Sequence, residues 1–361
     1  MQILCVDVGT GTQDILLFDS DREIENCVQI IAPSPTRIVA DRIRRATARR
    51  RPVVLTGRTM GGGPSGWAAE DHLRAGLPVF ATADAARTFD DELEKVERLG
   101  VKVVSERDAA RLDGAEHVVM GDLDLPAIAD ALARFDVEID LAAIAVAVFD
   151  HGNAPPGVSD RTFRFEYIAE TVARNDLTAF AYRREDIPER LTRMRAVAES
   201  APPDVPTLVM DTGPAAIVGA LEDPTVGRQE HALIANLGNF HTLAFHLDGG
   251  RVRGIFEHHT GELTREKLER YLGQLADGSI ANADVFADMG HGALVVGAPA
   301  ARPEFLAVTG PRRALLSGSS LARYLAVPHG DMMLAGCYGL LRAVAKRMPE
   351  VAAAIETRLD T

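Results

Sequence analysis

Three cysteines, four lysines and no long apolar run are what this chain of 361 residues has little of. Cys5, Cys27 and Cys337 are odd in number and widely spaced, so they frame no set of disulfides, as expected in a reducing compartment. They also lack the close clustering of iron–sulfur ligands, which argues against cluster-based radical chemistry. Lys95, Lys102, Lys267 and Lys346 leave few candidates for a catalytic lysine, and none stands in a Gly-rich phosphate loop. The longest apolar runs, such as 141–149, are far shorter than the roughly 20 residues that span a bilayer. No basic segment precedes an apolar one at the N-terminus. A cytoplasmic protein is expected.

Positive charge is also in deficit. Thirty-nine basic residues face 52 acidic ones, a formal net charge of −13, which argues against general nucleic-acid binding and against docking on an anionic membrane. The one basic stretch, 37–51, has no aromatic residue among its arginines on which a base could stack. It reads as the wet face of a surface helix that turns Ile38, Val39 and Ile43 inward. The rest is ordinary globular composition, 47% hydrophobic and 25% charged. At roughly 100–200 residues per domain, the length predicts two or three domains.

Along the chain, residues 2–31 read as strand, tight turn, strand and a third strand, with Gly9-Thr10-Gly11-Thr12 as the first turn. A helix follows at 36–50 and a strand at 52–56. Helical and strand patterns then alternate to about 140, with a helix at 90–99 and a strand at 117–120. The run 141–149 is apolar throughout, as in a strand buried on both faces, and ends in Asp150-His151-Gly152-Asn153. Past a break at 201–204, a strand at 207–210 leads through Asp211-Thr212-Gly213-Pro214 into a small-residue helix at 215–221. A second strand–turn–strand follows, with Asn236-Leu237-Gly238-Asn239-Phe240-His241-Thr242 between 232–235 and 243–246, and a third strand at 252–256. Each half thus holds a three-stranded meander with a Gly-, Thr- or Asn-rich first turn. Such a repeat, far too long for a solenoid, fits duplicated domains facing each other across a cleft.

These elements resemble the actin, sugar-kinase and heat-shock-chaperone ATPase superfamily, whose nucleotide site uses five short motifs. Five candidates stand here in order. The phosphate motifs are residues 4–12 and 235–242, the connecting motifs 209–219 and 329–339, and the adenosine motif 306–311. Closer still, the pattern resembles a small family that carries the label of pyruvate formate-lyase activating enzyme. True activating enzymes carry a tight three-cysteine motif that is absent here, so a radical activating enzyme is not expected.

The resemblance implies an α/β fold of two ribonuclease-H-like domains with a nucleotide cleft between them. Domain I is expected over 1–225 with an α/β insertion near 57–140, domain II over 226–328, and a C-terminal helix within 329–361 returning to domain I. It also implies that ATP is held by Gly9, Thr10, Gly11, Thr12, Gly238, Asn239, His241, Thr242, Gly310 and Pro311. Asp7 and Asp211 are the candidates for Mg²⁺, an ion that prefers one or two carboxylates with waters and phosphates.

Asp150 and Asp211, each just after an apolar strand, are the candidate acid–base residues for phosphoryl transfer; an ordinary strand-end cap is the alternative for both. Asn236 stands where the superfamily commonly has Asp, and a neutral amide is a poorer base or metal anchor. Eight of the ten histidines follow residue 150, several beside Gly or an acid. With Asp150, the residues His151, His258 and His291 are candidate transition-metal ligands, although no HxxxH or HExxH spacing supports them. Three functions follow. The first is Mg-dependent phosphoryl transfer from ATP to a small metabolite. The others are a nucleotide-dependent switch that hydrolyses ATP slowly beside a protein partner, and a metal-dependent enzyme built on the histidines.

Overall fold

The computed structural model describes residues 1–174, 176–297 and 302–359. The chain opens with β1 (Gln2–Val8), β2 (Thr12–Asp19) and β3 (Val28–Pro33), an antiparallel meander. It then leaves that sheet to build a second one, from β4 (Val53–Gly57), β5 (Val79–Thr82), β6 (Lys102–Val104) and β7 (Glu116–Met120). These four are parallel throughout, in the order β6-β5-β4-β7. The basic stretch is the helix Pro35–Ala48, which buries Val39, Ala40, Ile43 and Ala46 and leaves most of its arginines in water.

The chain returns through β8 (Leu141–Val148), β9 (Ala181–Arg183) and β10 (Thr207–Asp211). The first sheet has the order β3-β2-β1-β8-β10-β9, with β8 parallel to both β1 and β10. β8 lies in the middle with residues 143–148 fully buried, which explains its unbroken apolar sequence. The second half repeats the plan with β11 (His231–Leu237), β12 (His241–Asp248), β13 (Arg251–His259), β14 (Gly292–Val295), β15 (Phe305–Thr309) and β16 (Tyr324–Leu325). Its order is β14-β13-β12-β11-β15-β16, with β11–β15 and β15–β16 parallel and the other pairs antiparallel.

Five strands of each large sheet thus share one topology, a meander whose first strand is followed on its other side by two successive parallel strands. This is the ribonuclease-H-like arrangement, present twice, and the expected two-domain α/β fold is the one observed.

The small-residue helix Thr212–Ala220 packs against the helix Ala335–Arg347. Their backbones meet so closely that a Cβ on Gly219 would overlap Ala335 O, and one on Gly339 would overlap Ala215 O. Asp331 accepts a hydrogen bond from Met333 N–H at 2.7 Å, and the second helix begins at Ala335. The helix expected at 90–99 is shorter, Leu93–Arg98, and frees 90–92 as a loop. Among the described residues no helix is long and apolar enough to cross a membrane.

Candidate functional site

A cavity of about 390 Å³ opens where the two large sheets and the parallel sheet converge. Its walls are the β1–β2 turn at Gly9 and Thr10, the β11–β12 turn from Gly238 to His241, and the chain leaving β8 at 149–155. Loops at the carboxyl ends of β4 and β5 complete it, as crevices of parallel sheets usually form.

The two hairpin turns are closed in the same way. Gly9 N–H donates to Thr12 O at 2.9 Å, and Gly238 N–H donates to His241 O at 3.0 Å. Among the described residues, the N–H groups of Thr10, Gly11, Asn239 and Phe240 make no hydrogen bond. Such successive free amides form a nest that suits an anion. The turns also touch: a Cβ on Gly11 would overlap the Asn239 side-chain amide. Thr212 and Asn236 line the cavity too.

Asp7, at the end of β1, accepts a hydrogen bond from Thr212 Oγ1 at 2.6 Å. Burial pushes its carboxyl up to about 6; the Thr212 bond opposes this and nearby Asp211 adds to it. Asp14, its cross-strand partner, is pushed up to about 8, chiefly by burial and then by Asp7.

The two candidate acid–base residues have different surroundings. Asp150 lines the cavity, and its two oxygens accept from Gly152 N–H at 2.8 Å and Met194 N–H at 2.9 Å. Burial raises its pKa despite those donors and the nearby Arg193 and Arg164. Asp211 is not in the cavity wall. Arg164 grips it through Nη1–Oδ2 at 2.6 Å and Nη2–Oδ1 at 3.1 Å.

Arg164 stands in none of the sequence motifs. It is fully buried and reaches across to β13, where it pairs with both oxygens of Glu257 at 2.7 and 2.8 Å. Its Nη1 also donates to Asp150 O at 2.8 Å. Burial works against its charge, but Asp211 and Glu257 outweigh that and hold it protonated. One face of the guanidinium lies over the Phe149 ring, 3.5 Å from its centroid. A signal was present: on the helix Asp160–Val172, Arg164 shares an i, i+3, i+4, i+7 stripe with buried Tyr167, Ile168 and Thr171. A lone arginine on a buried stripe calls for buried acids.

The histidines gather differently from the expected set. His151, His241 and His291 each offer a ring nitrogen, and these atoms lie within 4.8 Å of one another. His259 joins them, its ring 4.7 Å from that of His291 and 5.1 Å from that of His241. His258 does not. Successive residues of β13 face opposite ways, so His258 turns away from Glu257 and His259 and lies against Tyr271 at 5.7 Å. Its Nδ1 meets His259 O at 3.0 Å, and its Nε2 lies 3.6 Å from Asp288. The strand was expected to end at 256; its extension to His259 is what carries Glu257 and His259 into the site.

Of the residues expected to hold nucleotide, Gly9, Thr10, Gly238, Asn239 and His241 line the cavity. Gly11, Thr12, Thr242, Gly310 and Pro311 do not. Thr12 pairs with Pro33 in the β2–β3 ladder, and buried Thr242 shares a hydroxyl hydrogen bond of 3.0 Å with Thr260. Gly310 N–H points at Met332 Sδ, 3.2 Å away. The three cysteines are buried free thiols.

Residues 60–315 match the family described as "Putative pyruvate format-lyase activating enzyme (DUF1786)". The chain belongs to this family. No curated protein matches it. Among solved structures, it is similar to a ROK hexokinase from Thermus thermophilus, with 13% identity over 96% of this chain and 100% of that one and a TM-score of 0.31. A ROK family glucokinase from Streptomyces griseus, solved with glucose and AMPPNP, gives 12% identity over 94% and 98% of the two chains, with a TM-score of 0.33. The ethanolamine utilization protein EutJ from Carboxydothermus hydrogenoformans gives 12% identity over 94% and 89%, with a TM-score of 0.30. The family assignment rests on the sequence match, and the fold assignment on the duplicated strand order.

Proposed function

We propose that this protein binds ATP in the cleft and transfers its terminal phosphoryl group to a small acceptor held in the cavity. One observation carries the reading. Two hairpin turns of duplicated sheets meet at the cavity wall, where among the described residues the amides of Thr10, Asn239 and Phe240, with Gly11 just behind the wall, make no hydrogen bond and are open to phosphate oxygens. Those amides fit an anion. Asp7 stands behind the cavity wall, and among the described residues its half-buried carboxylate is hydrogen-bonded only by Thr212, which lines the cavity; that oxygen donor suits a hydrated Mg²⁺. Bound there, Mg²⁺ would neutralise phosphate charge.

Asp150 is the proposed acid–base residue. An ionised carboxylate has about four acceptor sites, and the two backbone amides leave Asp150 capacity for an acceptor hydroxyl. Its raised pKa moves it toward the range useful for proton transfer near neutrality. The proposed role of Asp211 is to position Arg164. The first experiment is calorimetric titration of untagged protein with ATP, with and without Mg²⁺. Saturable binding at or below about 1 mM, roughly −4 kcal/mol, supports the reading, and no heat in either condition overturns it.

A second reading, a nucleotide-driven switch, is favoured by one feature. Asn236 supplies a neutral amide at the cavity wall in place of an acid. Under that reading, the segment 226–328 closes on 1–225 when ATP binds, and hydrolysis without a partner is slow.

A further inference from the structure

We infer that His151, His241 and His291 form a site for one divalent transition-metal ion of borderline character, of the Zn²⁺ class, at the wall of the cavity. The site does not depend on nucleotide binding. Its three ligands come from three separate places: the loop after β8, the first residue of β12 and the residue before β14. Their nitrogens nonetheless converge within 4.8 Å. A tetrahedral ion with Zn–N bonds of about 2.0–2.1 Å would draw them to about 3.4 Å, a movement within reach of ring rotation.

Unclaimed nitrogens are the second observation. Among the described residues, His241 Nε2 and both ring nitrogens of His291 are buried without a hydrogen-bond partner. Buried polar atoms are rarely left so, and each such atom asks for an explanation. A single cation would take one nitrogen from each ring, leaving His291 Nδ1 toward Glu257 if Nε2 is the ligand.

The surroundings suit a dication. The network around Arg164 sets one guanidinium against two carboxylates, Asp211 and Glu257, and so carries one net negative charge, with the Arg161 guanidinium on Gly290 O as a further cation nearby. Glu257 Oε2 stands 3.8 Å from His291 Nδ1, a small shift from the carboxylate–histidine pairing that orients metal-bound imidazoles. Phe149 stacks flat on His241 at 3.8 Å and fixes that ring. Three imidazoles select Zn²⁺, Fe²⁺ or Co²⁺ over Mg²⁺ or Ca²⁺. With His151 and His241 in its wall, the cavity would supply the fourth, open position that marks catalytic rather than structural sites.

The test uses the full-length untagged chain, stripped with chelator and titrated with Zn²⁺ and, separately, Co²⁺. The expected result is one equivalent bound tightly, with Co²⁺ giving the intense visible absorption of a tetrahedral nitrogen site. His291→Gln and His241→Gln should each weaken Zn²⁺ binding at least 100-fold, while His258→Gln, on the other face of β13, should leave it unchanged. A melting experiment on wild-type protein guards against variants that fail to fold: Zn²⁺ should raise Tm and equimolar Mg²⁺ should not. Less than a tenth of an equivalent bound, a Co²⁺ spectrum of an octahedral aquo ion, or equal affinity in His258→Gln and His291→Gln would each overturn the assignment.

Discussion

The ring of Phe149 and the imidazole of His241 lie parallel, 1° apart in plane and 3.8 Å between centroids. Phe149 follows the central strand of the first half, and His241 opens a strand of the second. With Arg164 over Phe149, guanidinium, phenyl and imidazole are in contact across the boundary between the halves. The same arginine binds an acid from each half, Asp211 and Glu257. The cavity and the histidine cluster are therefore built on a charged, desolvated joint.

That joint is costly to break. Arg164→Met would strand two buried carboxylates, and removing one partner of a buried ion pair typically costs about 3–5 kcal/mol. Urea unfolding at neutral pH should show a loss of that order. Restoring neutrality with Asp211→Asn and Glu257→Gln in the same chain should recover most of it, because the penalty lies in the unpaired charges. A loss below about 1 kcal/mol in the single variant would mean that the network is solvated in solution.

The proposed Mg²⁺ role of Asp7 gives a selective outcome. Asp7→Ala should weaken Mg-ATP binding by tenfold or more, about 1.4 kcal/mol, and leave the weaker binding of metal-free ATP nearly unchanged. Calorimetry with and without Mg²⁺ separates the two. Equal losses in both conditions would point to a damaged turn, since Asp7 also anchors Thr212.

Much of this architecture was legible because it is local. The turn Gly9–Thr12, the apolar run of β8 and the Gly219 helix announce themselves through residue type and spacing, and the second meander repeats the first. The site was less legible because it depends on direction. Whether Asp211 faces a ligand or an arginine is set by a helix 47 residues earlier in the chain. His258 and His259 are adjacent in sequence, yet the alternation of a strand extended three residues past its apparent end sends them to opposite faces. The loop 90–92 joined the cavity because the helix there starts at Leu93, after the acidic run.

That acidic loop should make stability depend on pH. Burial, followed by the charges of Asp150, Asp160 and Asp90, pushes Asp91 up to about 6 from an ordinary 3.8. A carboxyl with a raised folded-state pKa binds its proton more tightly when folded. Its favourable contribution is therefore complete below about 3.8 and is lost as pH rises through about 6. Asp91→Asn should be more stable than wild type at pH 8, by about 1–2 kcal/mol once solvent screening is allowed for. The two should converge at pH 4. Parallel denaturation curves at both pH values decide it, and a gain that persists unchanged at pH 4 would assign the effect to something other than ionisation.

The chain contains one tryptophan, and its position makes it a reporter of closure. Trp67, half exposed on the helix Pro64–Arg74, lies 6.0 Å from Phe240 in the second hairpin turn. Trp67 thus rides beside the parallel sheet and Phe240 belongs to the second half, so relative motion of those parts changes the surroundings of the indole. If Mg-ATP draws the second turn onto the phosphates, Trp67 emission should shift in wavelength or intensity with saturation matching the calorimetric curve. Phe240→Ala should blunt that shift without abolishing binding, because its backbone amide, not its ring, faces the proposed phosphate. A saturable ATP isotherm with no change in Trp67 emission would leave a binding site whose walls do not move, and would remove the switch reading while keeping the transferase.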